Sequence, residues 1–345
     1  MISHTQCVRP IAQLALIAAF AGAAPATADP IADFYRGKKI DLIIGYSSGG
    51  TYDLYARLVG RHIGNHIPGN PQVVARNMPG AGSRTAAAWV ANIAPKDGTV
   101  LGATEQSLAV AQAMGDKQLT TDVTKFIYIG NPNSENNTTA TWHAAGIRSI
   151  EDAKKKEVTV GATGGSTSSQ YPRVMNALIG TKFKVILGYP GGNDINIAME
   201  RREVDGRGSN SWASWKSTRA DWVRDNKIDI LVQIGLTKAP DLPNVPLMMD
   251  LATNDADRAI MRLFSVSGAI GRPLYTTPGV TESRVTALRA AFMATVKDPK
   301  FLDDAKNGNF DVEPVSGEDL QKLVKDVVAT PSQITERAKK IIEGS

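Results

Sequence analysis

The chain has 345 residues, with 39 lysines and arginines against 34 acids and a formal charge of +5. The cations form no cluster and aromatic residues make up only 6%, which excludes nucleic-acid binding, since phosphate contacts need grouped positive charge. The length is enough for one or two domains with cores of their own.

The N-terminus reads first as an export signal. Arg9 is followed by an apolar stretch from Ile11 to Ala24, then Pro25 and the small triplet Ala26-Thr27-Ala28 before Asp29. A basic start, a short apolar core and an Ala-x-Ala site make a secretory signal peptide. Residues 1–28 are therefore expected to be cleaved after Ala28, delivering the remainder to the periplasm. The apolar stretch is shorter than the about 20 residues of a spanning helix. Cys7 is the single cysteine and leaves with the leader, so the mature core needs no disulfide.

From residue 29 the recurring unit is strand, polar loop, helix. Lys39 to Ile44 suits a buried strand, residues 45–50 a Gly- and Ser-rich loop, and Tyr55, Leu58, Val59 and Ile63 one face of a helix. Gln72 to Arg76 reads as the next strand, Pro79 to Ser83 as a loop, 84–93 as a helix and Thr99 to Ala103 as a third strand. The pattern restarts after about residue 131. Val158 to Ala162 and Phe183 to Leu187 read as strands, Thr163 to Ser169 as a loop, and Tyr171 to Ile179 as a helix. The loop Tyr189-Pro190-Gly191-Gly192 leads into a helix through Met199, and Ile228 to Ile234 is another strand. From about residue 281 the tail is helical, with Val285, Leu288, Ala291 and Phe292 as its stripe, and is expected to pack back on the first lobe. Strands alternating with helices predict α/β lobes, each a mostly parallel sheet flanked by helices. The expected division is 29–131 with 255–345 as a discontinuous first domain and 132–254 as the second.

Small polar residues gather where strands hand over to helices, and in an open α/β sheet ligands sit at that end. Free helix N–H groups there, with serine and threonine hydroxyls, make an anion site, and glycine lets a ligand come close. Neither G-x-x-x-x-G-K-[ST] nor G-x-G-x-x-G occurs, so the loops are not a nucleotide motif. Asp53 is expected to serve its helix dipole rather than a ligand, and Asp194 to play the same part. Arg84 and Arg207 each suit a carboxylate but are left unassigned. Trp212 and Trp215 read as core.

Enzyme signatures are thin. His62 and His66 are four apart on a helix face, yet His62-Ile63-Gly64-Asn65-His66 lacks the glutamate of H-E-x-x-H, and they read as packing or surface residues. No G-x-S-x-G elbow occurs. No catalytic residue, metal or cofactor is expected.

Three stretches together resemble the Bug-type periplasmic receptors, the substrate-binding components of tripartite tricarboxylate transporters. They are Gly45-Tyr46-Ser47-Ser48-Gly49-Gly50-Thr51-Tyr52-Asp53; Asn77-Met78-Pro79-Gly80-Ala81-Gly82-Ser83 with Ala94 to Thr99; and Gly161 to Ser168 with Gly188-Tyr189-Pro190-Gly191-Gly192 and Val204-Asp205. The resemblance implies a two-lobed periplasmic-binding-protein fold with the ligand cleft between lobes. It further implies a monomeric, non-catalytic receptor that closes on a small di- or tricarboxylate or aromatic acid and presents it to integral-membrane transporter subunits. A receptor feeding a membrane signalling protein is the alternative, and an exported enzyme using His143 or the His62/His66 pair a remote one. Carried over by position, Tyr46, Ser47, Gly49, Gly50 and Thr51 form the first-lobe anion site with Gly80 and Gly82 beside it. Gly164, Ser166, Thr167, Ser168, Tyr189 and Gly191 face them, and Ser209 points to the ligand. The hydroxyls of Thr51 and Ser166 are expected to donate to it. Three features depart from the family pattern: the insertion Ile67 to Pro71, the bulk of Tyr52, and Glu105, which repels a second carboxylate if it faces inward.

Overall fold

Burial alternates along β1 (Lys39–Ile44): Ile40, Leu42 and Ile44 enter one apolar cluster and Ile43 the opposite one. A strand buried on both faces belongs in the middle of a sheet covered by helices on each side. The computed structural model shows that arrangement over the residues it describes, 1–2 and 29–344; the signal-peptide reading and Cys7 lie outside them.

β1 pairs in parallel with β2 (Gln72–Asn77) and β3 (Val100–Ala103). The sheet continues through β4 (Ile127–Asn131). Beyond β4 the chain crosses to a second sheet, formed by β5 (Asn137–Trp142), β6 (Val158–Gly161), β7 (Phe183–Ile186), β8 (Gly206–Ser211) and β9 (Ile228–Ile234). It then returns to the first sheet as β10 (Leu274–Thr276) and β11 (Val315–Ser316). The strand orders are β11-β4-β10-β3-β1-β2 and β7-β6-β8-β5-β9. In each sheet four strands run the same way; β10 and β11 in the first, and β5 in the second, run against them. The chain is thus α/β with two sheets flanked by helices, as expected.

Strands β5, β8 and β10 are what the sequence pattern did not disclose. β10 is three residues long, and β8 reads Gly-Arg-Gly-Ser-Asn-Ser with no apolar residue. Its pairing with β5 also slips: Thr138 faces Asn210 while Ala140 faces Arg207. One extra residue in β8 is a β-bulge, which re-aims the side chains around it. A boundary also moves. The helix expected from Tyr171 starts at Thr167, because Ser166 caps it and the hydroxyl residues that read as loop form its first turn.

Helix Thr51–Ile63 packs on β1 and β2 and against the helix Glu282–Thr295. The stripe Val285, Leu288, Ala291 and Phe292 is buried there. The last helix behaves differently: Ser332–Glu343 packs on Thr167–Ile179 and on Asp255–Ser265, not on the first sheet. Arg173 Nη1 donates to the Ile342 carbonyl at 3.0 Å, and Arg337 pairs with Asp257.

Phe292 is fully buried against Gly130 of β4, where any side chain would overlap its ring. Phe292→Ala is expected to cost about 3–5 kcal/mol, measured as a lowered urea midpoint at unchanged slope.

Candidate functional site

The loop after β1 is fixed by Asp53 in the first turn of Thr51–Ile63. Its Oδ2 accepts from Gly49 N at 3.0 Å, and its Oδ1 from Arg57 Nε and Asn77 Nδ2, both at 2.8 Å. Asn77 Nδ2 also donates to the Tyr46 carbonyl at 2.9 Å. Asp53 therefore holds the loop, as a helix-start carboxylate does. Opposite it, Thr163, Ser166 and Ser168 form a hydroxyl cluster, Thr163 Oγ1 to Ser166 Oγ at 2.6 Å and Ser166 Oγ to Ser168 Oγ at 2.7 Å.

The two sides meet. Ser47 Oγ donates to Asp194 Oδ2 at 2.8 Å, Thr51 bonds Ser214 hydroxyl to hydroxyl, and Arg84 Nη1 donates to the Gly165 carbonyl at 2.7 Å while pairing with Asp116. These contacts join the two sheets around a partly open cleft with a cavity volume of about 40 Å³, well below the usual range for ligand pockets.

The charged residues lining that space are Glu105, Arg207 and Arg272. Arg272 is accounted for: it pairs with Glu135, donates to Ser211 Oγ at 2.7 Å and lies 4.3 Å over the Tyr52 ring. Burial opposes its charge, but Glu135, Tyr52 and Tyr55 outweigh that and hold its pKa above the ordinary arginine value. Burial raises the Glu135 pKa, with Arg272 pulling the other way.

Arg207 has no carboxylate partner among the described residues. Its Nε donates to the Ser209 carbonyl at 2.9 Å, and Nη1 donates to the Gly192 carbonyl at 3.2 Å and Asn196 Oδ1 at 3.0 Å. The guanidinium lies 5.7 Å from the Trp215 ring. Nη2 makes no hydrogen bond within the described chain, and a side chain at Gly192 would overlap it. Burial lowers the Arg207 pKa from 12.5 to about 9, so it remains a cation at neutral pH. The Thr167 hydroxyl, without a partner among the described residues, and the buried, unpartnered Asn210 Nδ2 line the same space. A cation with an unused donor and two further unused donors in one space suit an anion.

Glu105 faces inward. It is 3% exposed; Tyr46 donates to its Oε2, and its Oε1 has no partner. The Tyr46 pKa is pushed well up, chiefly by burial and then by Glu105.

Of the expected site residues, Tyr46, Gly50, Thr51, Ser166, Thr167, Ser168 and Ser209 line this space. Gly80, Gly82, Gly164 and Tyr189 line an adjoining one that shares Tyr46 and Thr163. Ser47, Gly49 and Gly191 stand at the closing contact, where a Cβ at Gly191 would overlap Ser47 Oγ and one at Gly49 would lie near Asn193. Thr51 and Ser166 differ from expectation, because both hydroxyls are engaged within the chain rather than left for a ligand. Asp194 likewise serves the closing contact with Ser47. Arg84 bridges the two sides and does not line the space. Tyr52, Gln106, Asn137, Asn210, Ser211 and Arg272 line it without having been singled out as ligand residues. A lone polar residue carries no sequence signal; only the strand ends gather these.

Other candidates resolve as structure. His62 bonds Asp304 and His66 bonds Asp298, each at 2.9 Å, so the two rings do not share a metal. Among the described residues no group of three or more His, Cys, Asp or Glu is placed to hold one. Trp215 is core, its Nε1 donating to Thr138 Oγ1 at 2.9 Å, whereas Trp212 is only partly buried and donates to Asp241.

No family model and no curated protein matches the sequence. Solved structures do match. The periplasmic binding protein BugD is 20% identical over 89% of this chain and 98% of its own, with a TM-score of 0.70. MatC from Rhodopseudomonas palustris with bound malate is 17% identical over 89% and 99%, with a TM-score of 0.68. R. palustris Rpa4515 with adipate is 18% identical over 88% and 97%, with a TM-score of 0.67. This likeness establishes the class of fold, the two-lobed architecture of periplasmic binding proteins.

Ser166→Ala is expected to destabilise the protein by about 1 kcal/mol through loss of the cap, measured as a lower urea midpoint.

Proposed function

We propose that the protein is a periplasmic solute-binding receptor of the Bug type, which captures a small carboxylate between its lobes and delivers it to a tripartite tricarboxylate-type membrane transporter. The observation that carries this reading is Arg207, a cation with an unused Nη2 inside the cleft and without a carboxylate of its own. A ligand carboxylate supplies the missing charge, and Thr167 and Asn210 add donors. The fold shared with proteins solved with malate and adipate supports the same class of ligand.

In this reading the chain is a monomer without catalytic residues, metal or cofactor, exported and cleaved after Ala28. The lobes follow the sheets, 29–131 with the returning strands against 132–254. The helices Asp255–Ser265 and Ser332–Glu343 move with the second lobe, on which they pack. The ligand docks at the Arg207 pole of the second lobe, and closure adds the first-lobe loops and excludes water. Closure requires that the ligand bind the closed form more tightly. Contacts from both sides provide that difference.

Three measurements test this. Thermal unfolding of the chain from Asp29 onward, against mono-, di- and tricarboxylates, amino acids and aromatic acids, is expected to show a hit worth about 2.7 kcal/mol at 100 times its Kd. Arg207→Gln should weaken that hit by roughly 10- to 100-fold, the scale of a charged hydrogen bond. A flat panel on a folded protein carrying no prebound cargo by mass spectrometry rejects the proposal. Gly191→Ala, whose new methyl group meets Ser47 on closing, should weaken the same ligand without lowering the unliganded melting temperature. Adding Ser47→Gly should restore much of the affinity; unchanged affinity in Gly191→Ala rejects this closed form.

A further inference from the structure

Apart from the Arg272–Glu135 pair, two charges without an ion pair among the described residues line the cleft, and they have opposite sign. Arg207 on β8 comes from the second sheet, and Glu105 follows β3 of the first. No ion pair joins them among the described residues, although both face the same space. Arg207 presents an unused donor, Nη2. Glu105 presents an unused acceptor, Oε1, on a side chain 3% exposed. A buried carboxylate oxygen without a donor is costly, and among the described residues the only donor to the group is the Tyr46 hydroxyl, on the other oxygen. The cleft is therefore bipolar.

We propose that Glu105 makes this cleft selective for amino-carboxylates, ligands with a carboxylate for Arg207 and an ammonium group for Glu105 Oε1. The inference rests on the receptor reading above and narrows its substrate. A ligand with one carboxylate and one ammonium compensates both poles. A dicarboxylate satisfies Arg207 but sets its second charge against Glu105, where like charges in a water-poor site repel strongly. A plain monocarboxylate leaves Oε1 without a partner. Tyr46 has a second role here, since its hydroxyl holds Oε2 and leaves Oε1 for the ligand.

The test uses pairs that differ only in the group offered to Glu105: 3-aminopropanoate and succinate, 4-aminobutanoate and glutarate, alanine and methylmalonate. Calorimetric titration of the wild-type protein should show the amino member of at least one pair binding roughly 30-fold or more tighter than its dicarboxylate, the scale of a buried charge contact. In Glu105→Gln that ratio should fall by at least about tenfold, with the dicarboxylate gaining affinity. Equal or tighter binding of the dicarboxylates by the wild type overturns the selection, as does an unchanged ratio in Glu105→Gln. If that variant does not fold, the wild-type ratios decide alone. Binding of simple or dicarboxylates but of no amino member leaves the receptor standing and removes the selection. Binding of none of these acids removes both.

Discussion

A guanidinium withdrawn from bulk water needs oxygen atoms around it, and the architecture of this cleft follows from how Arg207 obtains them. The Ser209 carbonyl is available because β8 bulges, and the Gly192 carbonyl and Asn196 amide come from one short helix. Gly192 leaves room beside Nη2, and Trp215 offers its ring behind. These contacts solvate the cation without neutralising it. The charge is retained for something outside the chain. Arg272 shows the contrast: more deeply buried than Arg207, it is matched by Glu135 and serves the architecture.

At the cleft the lobes meet through a few polar contacts, while Lys216 pairs with Asp311 at 2.8 Å and one apolar cluster includes residues of both sheets, Ile43 and Val160 among them. Ser47 with Asp194, Thr51 with Ser214 and Arg84 with Gly165 are short-range and directional, and each links loops that follow strands. Such bonds are individually worth about 1 kcal/mol in net terms. A handful can hold a closed form without making it permanent. The glycines at the seam are chosen for clearance as much as for turning. Gly191 has an extended backbone that any residue adopts, and what it supplies is room for Ser47.

The sequence disclosed the parts of the fold that are buried by aliphatic side chains. Lys39–Ile44 and Ile228–Ile234 are mainly aliphatic, broken only by Lys39, Asp41, Asp229 and Gln233, and both form the strands expected. It concealed β8, because a strand that lines a polar cleft carries no alternation of apolar residues. It concealed the start of Thr167–Ile179 for a related reason, since cap and first-turn residues have loop composition. The glycine and hydroxyl loops were legible as strand-end chemistry. Their division into cap, latch and lining was not, because it depends on which hydroxyl already has a partner: Ser166 and Thr51 do, and Thr167 does not. Glu105 and Arg207, 102 positions apart in the chain, acquire meaning only when two sheets set them in one space.

The helix Ser332–Glu343 ties completion of the second lobe to a distant part of the chain. Its buried residues Thr335 and Ala338 belong to a helix docked on Thr167–Ile179, whose first turn lines the cleft. Domains generally fold as units, so the lobe that holds Arg207 is complete only when residues 332–343 have docked on it.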